Sequence, residues 1–228
     1  MNILSIIPAR GGSKSIPLKN IVKIQNKPLL YYTVTASLNS KLITRTIVST
    51  DNQKIAKVAE LLGAEVIKRP KKLASDTSSV ELTIQHTVDH LKKTEDYIPD
   101  IITLLQNTSP LRNSKHIDES LKLMEKENFD SIISGFSIHT FLWRKHNKSI
   151  KPVDHDPQNR PNRQQMYEQL YENGAFFATT LTAFKKSNCR ISGKIGFYRM
   201  PLELSHNIDT LDDLKNVKNI MKTFGKSL

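Results

Sequence analysis

Short apolar runs alternate along the chain with segments whose apolar residues recur at helical spacing. Residues 3–7 are apolar except for Ser5, and residues 45–51 form a second run that ends in polar side chains. Such runs are typical of parallel strands covered on both faces, which need no alternation of apolar and polar positions. The same pattern predicts further strands at residues 64–67, 101–105, 131–136 and 195–200.

Helical segments lie between these predicted strands. Leu29, Leu30, Val34 and Leu38 share one face of a helix predicted over residues 28–38. Further helices are predicted at residues 52–62, after Thr77 with Leu82, Val88 and Leu91 on one face, from about Ser114, and at residues 211–224. Strands and helices that alternate in units of this length predict right-handed βαβ crossovers, and hence an α/β fold with a mainly parallel sheet.

The regular alternation stops between residues 139 and 165. This segment has an excess of basic residues, and Pro152, Pro157 and Pro161 interrupt helices and strands. An irregular segment of this length inside a compact domain is usually a lid, an excursion or an oligomer contact. We therefore expect one domain over residues 1–228, with residues 139–170 inserted in it as a dimerisation or lid segment.

The composition is strongly basic, with a formal net charge of +12 over 228 residues. A basic surface attracts polyanions such as nucleic acids. The lysines are scattered, however, at helical spacings typical of solvated helix faces, as for Lys54 and Lys57. Only 7% of the residues are aromatic and no RNA-binding signature occurs, so a small anionic ligand is favoured over nucleic acid.

Cysteine content and hydropathy indicate the cellular compartment. The single cysteine, Cys189, excludes an intramolecular disulfide, and no Cys/His pair has the spacing of zinc ligands. No apolar run approaches the roughly 18 residues of a membrane span, and the basic residues follow the first predicted strand. We expect a cytoplasmic protein without a membrane partner.

The loop after the first predicted strand combines glycines with positive charge. Gly11 and Gly12 allow positive φ and close approach of backbone N–H groups to a ligand, and Arg10, Lys14 and Lys19 add three cations. Open α/β sheets bind ligands at the carboxyl ends of their strands, so this combination favours a triphosphate site. The alternative is a simple turn, and the loop matches neither the Walker A motif nor the dinucleotide-binding fingerprint.

The segments RGGSK at residues 10–14 and PLKN at residues 17–20 resemble the signature of a known family. This family comprises the CMP-sialic acid synthetases, or N-acylneuraminate cytidylyltransferases, and their legionaminic and pseudaminic acid relatives, and the resemblance covers almost the whole chain. It implies a Rossmann-like three-layer α/β/α nucleotidyltransferase fold with a mainly parallel mixed sheet and a protruding dimerisation arm. It also implies a homodimer that uses CTP and Mg²⁺.

The resemblance assigns nucleotide contacts to the N-terminal loop and to the segment after the third predicted strand. In this segment Ser75, Asp76 and Thr77 have a second interpretation, because any of them could cap the following helix. The nucleotide-binding residues that the resemblance implies are Arg10, Gly11, Gly12, Ser13, Lys14, Lys19, Asn20, Arg69 and Ser75.

Gln106 directly follows the predicted strand at residues 101–105. A buried strand needs no side-chain amide, which favours a hydrogen bond from Gln106 to a base or a sugar, although residues 108–110 could simply start the next helix. In the family a glutamine here contacts the sugar acid, and Asn107 stands where proline is common, which we interpret as a loop detail. The sugar-binding residues that the resemblance implies are Gln106, Thr108, Ser109, Arg144, Arg163, Tyr171 and Asn173.

Residues 171–177 resemble the family's Asn-Gly-Ala turn before a strand, with one departure. Some sialic acid synthetases carry an arginine two residues before this asparagine, where it meets the sugar carboxylate, whereas this chain has Tyr171. A tyrosine hydroxyl cannot form a bidentate charge-assisted pair, so the contacts to the sugar must differ. The sequence therefore leaves the identity of the sugar open.

Asn207 and Asp209 are two residues apart, so in an extended segment their side chains leave from the same face. The family has two aspartates here, which hold magnesium against the nucleotide phosphates. Asp209 matches and Asn207 does not, and the missing negative charge should weaken metal binding. The resemblance implies Asp209 and Asn207 as Mg²⁺ ligands, and Arg10, Lys14 and Asp209 as catalytic residues.

These features predict a cytidylyltransferase that joins CTP to an acidic nine-carbon 2-keto sugar of the sialic, legionaminic or pseudaminic type and releases pyrophosphate. In-line attack of the anomeric hydroxyl on the α-phosphate requires mainly positioning and positive charge around the phosphates. One alternative is another sugar nucleotidyltransferase, of the CMP-Kdo or sugar 1-phosphate type. The other is a nonenzymatic nucleotide or nucleic-acid binder.

Overall fold

Strands and helices alternate along the part of the chain that the computed structural model describes, residues 1–162, 164 and 168–224. The strands are β1 (Ile3–Pro8), β2 (Lys23–Ile24), β3 (Lys27–Pro28), β4 (Arg45–Thr50), β5 (Glu65–Lys68), β6 (Ile101–Leu104), β7 (Ser131–Ile138), β8 (Trp143–His146), β9 (Ser149–Pro152), β10 (Gln169–Thr180) and β11 (Ile195–Arg199). The helices are α1 (Leu29–Leu38), α2 (Gln53–Leu61), α3 (Val80–Glu95), α4 (Ser114–Lys126), α5 (Leu181–Ser187) and α6 (Leu211–Phe224). Every predicted strand and helix falls on one of these elements.

The central sheet has the strand order β11-β7-β10-β6-β1-β4-β5. β1 pairs in parallel with β4 and β6, β4 with β5, and β7 with β11. β10 runs antiparallel to both of its neighbours, β6 and β7. The predicted mainly parallel mixed sheet is therefore confirmed.

Helices cover both faces of this sheet. On one face Leu30 of α1, Ile55 of α2 and Leu121 of α4 join one core cluster. On the other face Ile84 of α3 and Phe184 of α5 join a second cluster. Successive strand residues point to opposite faces, so each buried strand contributes to both clusters, and the result is the predicted three-layer α/β/α arrangement.

None of the helices formed by the described residues combines the length and apolar character that crossing a membrane requires.

The last helix, α6, packs against the N-terminal part of the chain. Val217 of α6 shares a third apolar cluster with Ile16, which lies in the segment after β1. Ser15 Oγ donates a hydrogen bond to the backbone oxygen of Asp209 at 2.5 Å. This packing brings the segment before α6 next to the loop after β1.

Two predictions about helix starts and faces are wrong. Leu82 of α3 is 48% exposed, and α3 buries Ile84 instead. The N-cap position of α3 is Ser79, so the capping interpretation of residues 75–77 does not hold. α4, by contrast, begins at Ser114 as predicted, and its N-cap is Asn113, whose side chain accepts the N–H of His116. Residues 108–110 therefore do not start this helix.

The predicted Asn-Gly-Ala turn lies inside β10 and not before it. The pairing of β10 with β7 shifts register between Glu172 and Phe177. Gly174, within this irregularity, has a φ of +66°, a left-handed conformation that glycine adopts at no steric cost. The turn is thus a bulge in a long strand, and it lies beyond the carboxyl end of β6 because Phe177 pairs with Leu104.

The inserted segment leaves the central sheet and forms a hairpin that the sequence analysis does not predict. β8 and β9 pair antiparallel, with Arg144 opposite Lys151. The ring of Trp143 packs edge-on against His155, with ring centroids 4.9 Å apart. Arg163, a predicted sugar contact, lies outside the described residues.

Candidate active site

A cleft of about 380 Å³ opens at the carboxyl ends of the parallel strands. Pro8 at the end of β1, Arg69 after β5 and Gln106 after β6 all line it. Open α/β sheets hold their ligands at this edge. A second cavity, of about 370 Å³, lies between α1 and the start of α4, but the residues that line it include none of the predicted site residues.

The loop after β1 is held by the segment after β4. The Gly11 N–H donates to Asp51 Oδ1 at 2.8 Å. A Cβ on Gly11 would lie 2.8 Å from Asn52 Nδ2, so the close approach that requires glycine is made to the cap of α2. Neither Gly11 nor Gly12 has a positive φ, which occurs instead at Leu18 (φ 50°). The space around Gly12 is open, which leaves room for a ligand beside its backbone.

Arg10 and Lys14 share one counterion, Asp76. Arg10 Nη2 lies 2.8 Å from Asp76 Oδ1, and Lys14 Nζ lies 2.7 Å from Asp76 Oδ2. The Lys14 ammonium, and after it the Arg10 guanidinium, lowers the pKa of the Asp76 carboxyl. The N-terminal loop contains cations and no acid in sequence, and the acid that pairs with them comes from the segment before α3.

Lys19 carries the third predicted cation to the start of α6. Its Nζ donates to the backbone oxygen of Ile208 at 2.8 Å and lies 3.1 Å from Asp209 Oδ1. The Lys19 side chain is mostly buried, at 13% exposure, whereas the Asp209 carboxylate is 71% exposed. The structure thus brings the predicted phosphate-binding cation and the predicted metal ligand into direct contact.

Asn20 is joined to the end of β6 by a hydrogen bond that the sequence analysis does not foresee. Asn20 Nδ2 donates to the backbone oxygen of Arg10 at 2.9 Å, and Asn20 Oδ1 accepts from Asn107 Nδ2 at 3.0 Å. Asn107 is 3% exposed and lines the cleft. The interpretation of Asn107 as a loop detail is therefore wrong, because proline at this position could not donate this bond.

Arg69 is a buried cation in the wall of the cleft. It is 5% exposed, and its Nη2 donates to the backbone oxygen of Ser49 at 2.5 Å. Burial lowers the pKa of Arg69 to about 10, against the opposing effect of the Asp51 carboxylate. Its Nε is shielded from solvent and has no hydrogen-bond partner among the described residues. An anion in the cleft would supply the countercharge that this buried guanidinium lacks. Ser75 also lines the cleft, and Ser13 lies half-buried in the loop after β1.

Four of the predicted sugar-binding residues separate into two groups. Gln106 and Thr108 line the cleft. Ser109 and Asn173 are 2% and 1% exposed, and Ser109 Oγ donates to Asn207 Oδ1 at 2.6 Å. The amide of Asn173 bonds to Ser134 Oγ, the Ala175 N–H, Ser205 Oγ and Met200 Sδ. The side chains of Ser109 and Asn173 therefore support Asn207 and the β10 bulge and do not face the cleft.

Arg112 is a buried charge that the sequence analysis does not single out. It is 2% exposed, and burial lowers its pKa to about 9. Its Nε donates to the Ala175 oxygen at 2.9 Å, and its Nη2 donates to Thr33 Oγ1 and the Gln106 oxygen, both at 3.2 Å. Arg112 thus ties the β10 bulge to the segment after β6. A lone arginine after a polar turn gives no sequence signal of burial.

Tyr171 and Arg144 lie away from the cleft of their own chain. Tyr171 is 55% exposed, and its ring centroid lies 5.0 Å from that of Phe136. Arg144 lines a separate hollow on the hairpin, together with Lys151 and Val153. The cleft therefore collects part of the predicted nucleotide residues (Arg10, Asn20, Arg69 and Ser75) and part of the predicted sugar residues, while Tyr171 and Arg144 stand outside it.

The carboxylate of Asp209 suits a hard cation that keeps most of its ligands from water and phosphate. Among the described residues, no group of three or more His, Cys, Asp or Glu could hold a metal ion. Mg²⁺ in phosphate-transfer sites commonly uses one or two carboxylates, waters and substrate phosphates, and Asp209 can supply one carboxylate in the cleft. Asn207 Oδ1 accepts from Ser109 and retains a second lone pair. Asp213 Oδ2 fixes the backbone here by accepting the N–H groups of Asp209 and Thr210 at 3.0 and 2.7 Å.

Cations grouped at the carboxyl end of β1, with a carboxylate in contact, suit the binding of a phosphorylated ligand. Fold and cleft thereby place the molecule among the open α/β proteins that bind ligands at the carboxyl ends of their strands. The chain belongs to the cytidylyltransferase family, whose model matches residues 4–222. This match confirms the family relationship that the N-terminal signature indicates.

Curated relatives agree with the resemblance found in the sequence. N-acylneuraminate cytidylyltransferase A of Danio rerio is 34% identical over 228 residues, which cover 98% of this chain and 52% of that protein. The N-acylneuraminate cytidylyltransferase of Oncorhynchus mykiss is 35% identical over 228 residues, with coverages of 98% and 51%. An Escherichia coli relative of the same name is 37% identical over 153 residues, with coverages of 67% and 34%. The chain therefore spans about half of the two fish proteins and a third of the bacterial one.

Solved structures of other proteins share this fold. A CMP:2-keto-3-deoxy-manno-octonic acid synthetase complexed with CTP matches with a TM-score of 0.70 and 17% identity, covering 98% of this chain and 99% of that chain. The 4-diphosphocytidyl-2C-methyl-D-erythritol synthase of Anaerococcus prevotii matches with a TM-score of 0.67 and 13% identity, covering 97% and 98%. At these identities the similarity shows the fold alone, and it agrees with the predicted Rossmann-like nucleotidyltransferase architecture.

Proposed function

We propose that this protein transfers the cytidylyl group of CTP to the anomeric hydroxyl of an acidic nine-carbon 2-keto sugar and releases pyrophosphate. The observation that carries the proposal is the contact between Lys19 and Asp209 at the edge of a cleft that Arg10 and Arg69 also line. Names of the curated relatives support the choice of CTP and of a sialic-type sugar.

The reaction exchanges one phosphorus–oxygen bond for another. The sugar hydroxyl oxygen bonds to the α-phosphorus, the bond from that phosphorus to the bridging oxygen of the β-phosphate breaks, and pyrophosphate leaves with the electron pair while the hydroxyl proton passes to solvent. Arg10, Lys14 and Lys19 bind the β- and γ-phosphates and stabilise the charge on the leaving group. Arg69, in the wall of the cleft, adds positive charge near the same anion.

Mg²⁺, when bound, would neutralise phosphate charge, and Asp209 with Asn207 would hold it. Lys19 keeps the Asp209 side chain oriented through the contact at 3.1 Å, and Asp213 fixes its backbone N–H. With one carboxylate where the family has two, we expect a lower affinity for the metal ion than two carboxylates would give.

The sugar side of the cleft is formed by Gln106 and Thr108. Arg112 donates a hydrogen bond to the backbone oxygen of Gln106. The backbone of Gly174 packs closely against the Gln106 side chain, with no space for a Cβ between them. An amide at this position can donate to a sugar hydroxyl and accept from a sugar amide. The exposed position of Tyr171 leaves the sugar within the sialic, legionaminic and pseudaminic group open.

We also propose a homodimer formed through the hairpin and the adjoining edge of the sheet. Trp143 and Ile150 of the hairpin and Tyr171 of β10 are 43%, 62% and 55% exposed, which is a large apolar surface for a basic, polar segment. In such a dimer Arg144 would be available to the partner subunit. Sedimentation equilibrium tests this: Ile150→Lys should shift the mass from dimer to monomer, whereas Leu61→Lys, at an 86% exposed position of α2, should leave the dimer intact.

Product identification tests the reaction and its substrates together. The protein is incubated with Mg²⁺, one of CTP, UTP, ATP and GTP, and one of N-acetylneuraminic, legionaminic, pseudaminic and Kdo acids, and products are identified by mass spectrometry. We expect a CMP-sugar from CTP and a nine-carbon acid only. If product forms only with UTP, or only with Kdo as the sugar acid, the protein is another kind of sugar nucleotidyltransferase and this proposal is wrong.

A further inference from the structure

The carboxylate of Asp76 bridges the two most exposed cations of the loop after β1. One oxygen faces Arg10 Nη2 at 2.8 Å and the other faces Lys14 Nζ at 2.7 Å. A phosphate group would bind in the same manner, with one oxygen on each cation. Asp76 and Arg10 both line the cleft, so the bridge lies within the space where a nucleotide would place its phosphates.

We propose that Asp76 is a positioning residue that holds Arg10 and Lys14 in the place of a phosphate group and competes with triphosphate and pyrophosphate for them. This inference rests on the proposed function, because it assigns these two cations to the phosphates of CTP. Asp76 keeps the cations extended toward the cleft when no phosphate binds them. It also limits how tightly they hold the product pyrophosphate.

Because the bridge is exposed, replacing the Asp76 carboxylate by a phosphate costs little free energy. The side chains of Asp76 and Lys14 are 44% and 82% exposed, and that of Arg10 is 35% exposed. Ion pairs exposed to this degree contribute little to stability, so a multiply charged phosphate can replace one carboxylate on both cations. Repulsion between phosphate and carboxylate then moves Asp76 away from the site. Asp76 lies between the short helical turn at Lys71–Ala74 and the start of α3, in a segment without regular secondary structure.

The sign of one mutational effect separates competition from simple support. If Asp76 competes with phosphate, replacing it by the uncharged, similarly shaped asparagine frees two cations and strengthens anion binding. If Asp76 only holds Arg10 and Lys14 in place, the same substitution disorders them and weakens anion binding. Both effects act on binding alone, so the measurement does not depend on turnover or on the identity of the sugar.

Calorimetric titration of the full chain with inorganic tripolyphosphate, without added metal, tests the proposal. Asp76→Asn should bind about three- to tenfold more tightly than the unsubstituted protein, the scale expected for exposed charge pairs. Asp212→Asn is the matched control, because it breaks an exposed pair with Lys215 (2.9 Å) and changes the net charge equally. This control should leave the affinity unchanged. In a Lys14→Gln background the gain from Asp76→Asn should shrink, because one of the two cations has been removed.

Weaker or unchanged binding by Asp76→Asn overturns the inference and leaves the proposed function intact. A gain of equal size in Asp212→Asn also overturns it, since the effect would then follow from net charge. Absence of tripolyphosphate binding in the unsubstituted protein and in every variant would instead remove the phosphate site, and with it both the inference and the proposed function.

Discussion

The ammonium of Lys19 lies 3.1 Å from the carboxylate of Asp209 and joins the loop after β1 to the segment before α6. Lys19 also donates to the Ile208 oxygen, so the cation is fixed by two contacts on the same segment. The α6 packing against Ile16 keeps the two segments together. This relationship unites the first and last functional segments of the chain in one site.

Replacing Lys19 by glutamine should weaken CTP binding. The substitution removes a mostly buried cation and leaves the Asp209 carboxylate without its partner. We expect the Kd for CTP to rise at least about tenfold, the scale of one charge-assisted contact. Isothermal titration with CTP measures this, and Lys23→Gln, at an exposed position of β2, is the control that should bind normally. If both variants bind CTP with equal affinity, Lys19 does not contact the phosphates of CTP.

Replacing Asn107 by aspartate tests the link from β6 to Asn20. Aspartate has nearly the same shape but cannot donate to Asn20 Oδ1, and the two oxygens would then repel each other. We expect the KM for CTP to rise several-fold, because Asn20 and the Arg10 backbone that it binds lose their support. Steady-state kinetics provide the test. Asn219→Asp on the exposed side of α6 makes the same charge change and should have little effect; a rise of KM in both variants would argue for a general charge effect.

A methyl group at Gly174 should disturb the sugar side of the cleft. A Cβ there would lie 2.6 Å from Gln106 Oε1, and the φ of +66° is unfavourable for alanine. Gly63 is a suitable control, because its φ is +89° but the nearest atom to a Cβ, in Leu38, is 3.5 Å away. Both variants to alanine should lose roughly 1–2 kcal/mol of unfolding free energy from backbone strain. Only Gly174→Ala should raise the KM for the sugar. An equal rise of this KM in both variants would show that the effect does not come from contact with Gln106.

Stability should fall in mild acid, partly because of His116. Burial lowers the pKa of His116 below its ordinary value of 6.5, so the unfolded chain takes up a proton before the folded one does. The stabilising contribution is therefore complete above pH 6.5 and is lost as the pH falls from there toward the lower folded-state pKa. His116→Gln keeps an acceptor for the Asn113 N–H and removes the titration.

Urea unfolding at pH 7 and pH 5 measures this effect. His116→Gln should lose less unfolding free energy between the two pH values than the unsubstituted protein does, whereas His139→Gln, at an exposed position, should lose as much. Identical losses in all three proteins would show that His116 does not contribute to the acid sensitivity.

The central sheet could be predicted from the sequence because its strands are buried apolar runs. β1 and β6 show this most clearly, since each is a short buried run with a single polar residue, Ser5 in β1 and Thr103 in β6. The direction of β10 could not be predicted, because an apolar run looks the same in a parallel or an antiparallel strand. The β8–β9 hairpin could not be predicted, because it is almost wholly exposed and has no apolar periodicity.

The cleft was predictable where strand ends bring functional side chains together. Arg10 and Gln106 each lie close behind a buried strand, and the carboxyl ends of parallel strands meet at one edge. The contacts of Asp76 and Asn107 were not predictable, because their partners are distant in sequence and the pairing depends on how the loops fold. Burial of Asn173 escaped prediction for a related reason: an asparagine next to a glycine is typical of an exposed turn, and here it fills its hydrogen bonds inside a bulge.

Pyrophosphate release with CTP, Mg²⁺ and a nine-carbon sugar acid, compared between the unsubstituted protein and Asp209→Ala, tests the central claim most directly. We predict release that requires both CTP and the sugar, and its loss in Asp209→Ala with an unchanged thermal unfolding midpoint, because this carboxylate is exposed and supports no core packing. Retained turnover in the variant, or no release from the folded protein with any nine-carbon acid, would contradict the account.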